Sequence, residues 1–534
     1  MNAEFATDEE HKQSAIMPRV QRRIAAVCGA LALSGAAILV ARGGRPVTPV
    51  SDTAVIESYT LYASRAQLLV GPYSRYGWHH PGPLFFYLLA PVYTLAGSST
   101  PALSAGALLI NVASIVVLAW VLMRTAGGWL TVAVTASIAV YVWRLAPLLV
   151  SPWNPLVVVL PLAALTIVAA AVASGDYGLT ALGVALASFV IQTHLGVVPT
   201  ALAVSAVLAL ATWQAAREAI PRSRRAVITA AAVAAVLWAV PLSEQVSASP
   251  GNMTALWRFF SSPDRGHQTM AATYAAWSDM VTGIVRPDFH IAGGSPFRRS
   301  RWRPARTVAG CEVVALTAIA LVARRRKRRF EAAFASVLLL ALAIAFVAVT
   351  RIHDDIIDHE VFWISVLGAL AAAMIAAAAA ASVWRSEAPK RLGACAAVSA
   401  CAVAAYVGFG ELSAVTKRTF DPDPARRAAA VIGDALERRV RATGVRPLIQ
   451  IDQDEWPVAA GALLHLQRSR LAFAVEDDWL VMFTERARST GAEAERITIT
   501  GPRRHYLLTS RREGETIAAA DPFYAVALTS KQPQ

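Results

Sequence analysis

Apolar residues along this chain come in long blocks and do not alternate with polar ones. Runs of about 17–23 mostly apolar residues recur, long enough as helices to cross roughly 30 Å of hydrocarbon. They predict about eleven transmembrane helices, at 22–42, 101–123, 129–145, 156–173, 177–192, 195–214, 226–242, 307–323, 330–350, 361–382 and 392–413. The run at 84–97 is too short to span and reads as an interfacial or re-entrant helix. Residues 371–382 are nearly all Ala, which suits close helix packing. From about 418 the pattern changes. "RRAAAVIGDALERRV" reads as an amphipathic helix, "PLIQID" (447–452) as a strand and "VAAGALLHLQR" (458–468) as a helix. "RLAFAVE" (470–476) and "RHYLLTS" (504–510) read as strands, so the tail is expected to be a small α/β domain.

Charge then orients the helices. The formal net charge is +14, but much of the Arg sits at the ends of apolar runs: Arg22 and Arg23, Arg217 to Arg225, "RRRKRR" at 324–329, and Arg385 to Arg391. That distribution marks cytoplasmic loops of a plasma-membrane protein and argues against a nucleic-acid partner. With an N-terminus inside (1–21), an odd number of crossings over 22–417 puts the domain 418–534 outside the cytoplasm, together with long loops at 43–100 and 243–306. The basic segment "FRRSRWRPAR" (297–306) disagrees, falling outside. The four cysteines all lie in apolar runs without metal-ligand spacing and read as small buried hydrophobes.

The unusual polar residues gather at one predicted face, which suggests an outward-opening cavity. "SDTAVIESYTLYA" brings Asp52, Glu57 and Tyr59; "RYGWHHPGPLFFYLLAPVY" brings Trp78, His79 and His80. "SPWNP" carries Trp153 and Asn154, "IQTHLG" carries Gln192 and His194, and "TRIHDDIIDHE" carries Arg351 and His353; "PLSEQVSASPGNMTALWRFF" opens the second long loop. Each has a structural reading as well. Asp52 with Glu57 can solvate an external helix or cap it, and the His pair can be turn residues. Asn154 can begin the next helix, with Pro155 in its first turn, His194 can be a satisfied buried imidazole, and 350–360 can be a plain loop. The acidic stretches "DQDEW" (452–456) and "EDDW" (476–479) read as solvated loops.

An acidic residue soon after the first helix, followed by "HHPGPLFFYLLAPVYTLAG", resembles the first-loop signature of GT-C membrane glycosyltransferases, the superfamily of protein mannosyltransferases and aminoarabinose transferases. "HPGPL", "WNP", "QTH" and "PGN" in this order resemble a little-characterised bacterial branch, often actinobacterial, over about residues 20–365. The resemblance implies a GT-C-like fold and an inverting sugar transfer from a polyprenyl-phosphate donor to a glycan, lipid or protein acceptor in the cell envelope, outside the cytoplasm. It puts Asp52 at the position of the catalytic Asp. Thr53 stands where relatives often have a second acid, and Glu57 is the candidate replacement. His80 takes the basic slot before the turn, with Arg351 as a second phosphate ligand, and Tyr59, Trp78 and Trp153 are candidate stacking surfaces. No cofactor is expected, and no ligand set demands a divalent cation. A non-catalytic protein of the same fold and a flippase of lipid-linked sugars are the alternatives.

Overall fold

A computed structural model describes residues 27–44, 47–262, 266–291, 302–384, 388–417 and 423–529. The predicted N-terminal tail, Arg22, Arg23 and Arg385, and the first half of the 297–306 exception lie outside these residues. Among the described residues eight helices are long and apolar enough to cross a membrane: Thr100–Thr125, Asn154–Ala173, Leu195–Arg217, Ser223–Ser247, Ala305–Arg325, Arg329–Thr350, Ile364–Val383 and Lys390–Lys417. The other three predicted spans are shorter helices, Val27–Arg42, Gly128–Arg144 and Tyr177–Thr193. Helices Asn252–Ser261 and Met270–Val281, 10 and 12 residues long, fill the second long loop without length to span.

Burial orders these helices. Asn154–Ala173 is apolar all round, with mean hydropathy 2.7, and is buried almost completely, so it forms the centre of the bundle. The last span, Lys390–Lys417, buries Gly393, Ala397, Ala400, Ala404 and Gly408 at helical spacing. A Cβ on Gly408 would lie 2.2 Å from Leu108, so this face needs small residues to approach. The Ala-rich helix Ile364–Val383 does the same: a Cβ on Gly368 would meet the Val281 carbonyl at 1.8 Å. All four cysteines are free, and the expected burial does not hold. Cys28, Cys311 and Cys395 are exposed on the outward helix faces and Cys401 is half-exposed, as suits small apolar side chains where lipid replaces protein.

Helix Leu84–Leu95 buries Phe85, Phe86, Leu89 and Tyr93 and exposes Leu88 and Leu95. It packs between helices Ser51–Ser64 and Thr100–Thr125 at one end of the bundle.

The tail forms a five-stranded sheet in the order β2-β1-β3-β5-β4, with β1 Leu448–Ile451, β2 Ala474–Val475, β3 Arg496–Thr500, β4 Gly514–Ala520 and β5 Phe523–Leu528. β1 is parallel to both β2 and β3; β5 is antiparallel to β3 and β4. The amphipathic helix Pro424–Thr443 packs on Trp456–Arg468, which docks in turn on Ser51–Ser64. A Cβ on Gly461 would stand 2.4 Å from the Pro49 carbonyl oxygen, so the two units approach backbone to backbone here.

Two strand expectations are corrected. Only Ala474–Val475 of 470–476 is a strand. Residues 504–510 belong to helix Pro502–Ser510, whose first-turn proline presets a helical φ and needs no N–H partner. The strand there is the preceding "RITIT", an alternation of β-branched residues that buries Ile497 and Ile499.

Candidate functional site

A cavity of about 1160 Å³ lies between the bundle end and the α/β unit. Asp52, Tyr59, Trp78, His80, Trp153, Asn154, His194, Arg351 and His353 all line it, from five separate sequence segments. Glu57, His79 and Gln192 do not.

A tight loop builds one wall. His79 bridges back to Tyr73, and the His80 N–H donates to the Pro72 carbonyl at 2.8 Å. A Cβ on Gly71 would lie 2.4 Å from the His80 carbonyl oxygen, so this crossing requires glycine. Asn252 pins the loop from the second long loop. Its side chain accepts from the His79 N–H at 2.8 Å and donates to the His79 carbonyl at 2.9 Å. The Asn252 N–H in turn donates to the Glu244 carboxylate at 3.0 and 3.1 Å. Folded this way, the loop turns Tyr73, Arg75, Tyr76, Trp78 and His80 to the cavity.

Asp52 stands in the first turn of helix Ser51–Ser64, half-buried in the wall. The Tyr73 hydroxyl donates a short hydrogen bond to it. Burial raises the Asp52 carboxyl above the ordinary range; the bonds from Tyr73 and Trp153 favour the carboxylate and hold that rise back.

Burial disfavours the charged forms of His79, His80 and His194, which goes against the expectation of a basic slot at His80. Its Nδ1 accepts from the Leu195 N–H at 2.8 Å, so the proton of the neutral ring sits on Nε2. Burial pushes His80 down to about 3 and His79 to about 4. His194 lies 5.3 Å from His80 between ring centroids, and Asn154 Nδ2 approaches His194 Nδ1 at 3.4 Å and donates to the Thr193 carbonyl at 3.3 Å. Asn154 sits at the start of the central helix, with Pro155 in its first turn, so the most buried helix of the bundle fixes its position. Trp153 packs on His359 at 4.7 Å, and Trp78 meets His80 edge-on at 5.5 Å.

The cavity holds two guanidinium groups. Arg75 donates to Tyr76 at 2.7 Å and lies 3.8 Å from Glu360. Arg351 is exposed and makes no ion pair or side-chain hydrogen bond among the described residues. His353 faces Asp354 at 3.3 Å.

Three sequence candidates have other work. The Gln192 side chain is wholly buried; it donates to the Leu237 carbonyl at 2.8 Å and accepts from the Leu84 N–H at 3.3 Å, holding the Pro-Gly-Pro turn. The His79 ring packs against Tyr59, 6.3 Å between centroids. Glu57 is fully buried and accepts from Tyr93, Thr100 and Arg468, away from the cavity.

The far wall comes from the tail. Asp452, Gln453 and Trp456 follow β1, and Glu476, Asp478 and Trp479 follow β2. The two acidic stretches are thus cavity lining, not the free loops the sequence suggested: each sits at a strand's carboxyl end and faces the bundle. The sequence reading also passed over Tyr73, Arg75, His359 and Glu360, although Arg75 opens the "RYGWHHPGPLFFYLLAPVY" stretch and the last two lie within the "RIHDDIIDHE" stretch it singled out. Among the described residues no group of three or more His, Cys, Asp or Glu is placed to hold a metal ion.

Compared with solved structures, the chain is similar to ArnT from Cupriavidus metallidurans bound to undecaprenyl phosphate. The TM-score is 0.54 and the identity 12%, over 95% of this chain and 98% of that one. The apo state of the same protein matches with TM-score 0.53 and 13% identity, over 95% and 100% of the two chains. No protein-family model and no curated protein matches the sequence. The likeness is one of fold, GT-C-like, and it spans the bundle and the tail together.

Proposed function

We propose that this chain is a membrane glycosyltransferase that moves a sugar from a polyprenyl-phosphate donor to a cell-envelope acceptor. The observation that carries the reading is Asp52, a half-buried carboxylate in the wall of a cavity that also holds an uncommitted guanidinium, Arg351. That ArnT was solved with undecaprenyl phosphate supports a lipid phosphate as the ligand of this fold. The helices are read as crossing the plasma membrane, with the N-terminus cytoplasmic and the α/β unit on the other side together with the cavity.

Asp52 takes the proton of an acceptor hydroxyl as that oxygen attacks the anomeric carbon on the face opposite the phosphate. The bond to the phosphate oxygen breaks, the electron pair leaves with the polyprenyl phosphate, and the configuration inverts. The growing negative charge needs donors. Arg351 meets it with a planar two-pronged group. His80 Nε2–H and Arg75 add neutral and charged hydrogen bonds. Tyr59, Trp78 and Trp153 give flat faces to the transferred sugar, with Asn154, His194 and His353 beside them. Glu57 acts through the position of the helix that bears Asp52.

The test is transfer of label from radiolabelled polyprenyl-phosphate sugars by the purified protein in nanodiscs. Asp52→Asn should lower turnover about 10²- to 10⁴-fold, the usual contribution of a positioned base, with donor affinity kept. Equal turnover in that variant sinks the assignment of the base. Donor binding without any transfer by the native chain favours the non-catalytic alternative.

A further inference from the structure

The cavity's two walls differ in charge, and the difference has a chemical consequence. The bundle wall sets Arg75 and Arg351 beside Asp52 and Glu360; the wall built by the tail brings Asp452, Glu476 and Asp478 with the indoles of Trp456 and Trp479 and, among the described residues, no basic side chain. These residues sit just past the carboxyl ends of the parallel strands β1 and β2. In open α/β sheets that edge is where ligands bind.

Glu476 is aimed by the sheet itself. Gln450 on β1 pairs in register with Thr498 on β3. The Thr498 hydroxyl donates to Gln450 Oε1 at 3.2 Å, which leaves Gln450 Nε2 to donate to Glu476 Oε1 at 2.7 Å. The second oxygen of Glu476 has no partner among the described residues, and neither has the carboxylate of exposed Asp478. Asp452 differs, because Thr500 and Arg504 take its oxygens. Across the cavity, Trp78 and His194 are 7% and 5% exposed, yet indole Nε1 and imidazole Nε2 find no partner. Buried donors and acceptors without partners are rare in finished structures, and each calls for a local explanation such as a catalytic role or a bound water or ion.

Taken with the proposed transfer, on which this rests, we infer that the tail's strand-end wall is the acceptor subsite and that it takes an uncharged, hydroxyl-rich sugar. Carboxylate oxygens accept from sugar hydroxyls, and indole faces cover the apolar C–H side of a pyranose or furanose ring. The same carboxylates repel phosphates and uronates, so the anionic donor is directed to the arginine wall and the neutral acceptor to the acidic one. Electrostatics thereby sorts the two substrates within one cavity.

The experiment probes full-length protein in nanodiscs on an array of neutral gluco-, manno-, galacto- and arabino-oligosaccharides beside oligogalacturonates. Binding of undecaprenyl phosphate is measured separately by native mass spectrometry. Neutral glycans should bind and oligogalacturonates should not. Glu476→Gln, Asp478→Asn and Trp479→Ala should each weaken neutral-glycan binding, Glu476→Gln by about tenfold or more, with undecaprenyl phosphate affinity kept. Asp478 is exposed, so its variant reports binding without a folding defect. Absence of neutral-glycan binding, preference for the acidic glycans, or binding indifferent to all three variants overturns the inference. Neutral-glycan binding of the expected kind without any affinity for undecaprenyl phosphate overturns the donor reading instead.

Discussion

Arg468→Met should loosen the α/β unit from the helix that carries Asp52. Glu57 lies five residues after Asp52 on that helix and is fully buried. It accepts from Tyr93 at 2.8 Å, Thr100 at 2.7 Å and Arg468 Nε at 3.0 Å; the Arg468 terminal nitrogen makes a second, shorter contact. Removing Arg468 leaves a carboxylate in the interior with two hydroxyl donors and no counter-charge. Breaking such a pair from one side costs about 3–5 kcal/mol when both groups are buried. The Arg468 side chain is 33% exposed, so water recovers part of that. About 2–3 kcal/mol remains, or an opening constant raised about 30- to 150-fold. Glu57→Gln with Arg468→Met removes the stranded charge and should recover about 1 kcal/mol or more of coupling. The assay is hydrogen exchange read by mass spectrometry on Ser51–Ser64 and Trp456–Arg468, where local opening is visible without global unfolding. The bonds from Tyr59 to the Val481 carbonyl and from Gln467 to Tyr62 persist, so the unit should open locally and not dissociate. Unchanged exchange in both helices, or strictly additive single effects, refutes the clamp.

Because burial raises the Asp52 carboxyl, the acid limb of kcat/KM should fall at a pH above the ordinary aspartate value: the base works only when ionised, so activity is present above that pKa and lost as pH drops through it. Tyr73→Phe removes a donor to the carboxylate and should move the limb further up, and a limb that stays in place would assign it to another group. Gly71→Ala should cost about 1–3 kcal/mol and displace the His80 loop, because its Cβ would overlap the His80 and Gly82 carbonyl oxygens at 2.4 and 2.7 Å. An unchanged thermal midpoint would show that the loop yields.

Helices were legible in this sequence because lipid-facing segments need only length and apolarity, and each predicted run became a helix whether or not it reached span length. The short strands of the tail were harder. Local pattern favoured 504–510 as a strand, yet Pro502 decided the segment, while the clean alternation of "RITIT" was passed over. Residues clustered by odd chemistry were found at the cavity, but their roles turned on partners far away in sequence. Glu57 is held away from the cavity by Tyr93, Thr100 and Arg468, the last 411 residues on. Gln192 faces a backbone N–H at Leu84 and a carbonyl at Leu237, neither of which a motif can announce. The acidic stretches at 452–456 and 476–479 look like any solvated loop until strands β1 and β2 lie parallel and bring their ends to one wall.

The histidine pair changes the weight given to the arginines. An imidazole held near 3, with Nδ1 already accepting from a backbone N–H, adds no positive charge at neutral pH. Arg75 is engaged by Tyr76 and Glu360, so part of its field is already spent within the protein. Arg351 keeps its charge uncommitted, at the end of the Arg329–Thr350 helix and inside the same cavity as Asp52. A departing phosphate and an ionised Asp52 repel one another, and a guanidinium with no internal partner offsets that at little cost in broken contacts. On this ground Arg351, second to His80 in the sequence reading, becomes the first candidate to hold the leaving group, and His80 a neutral donor beside it.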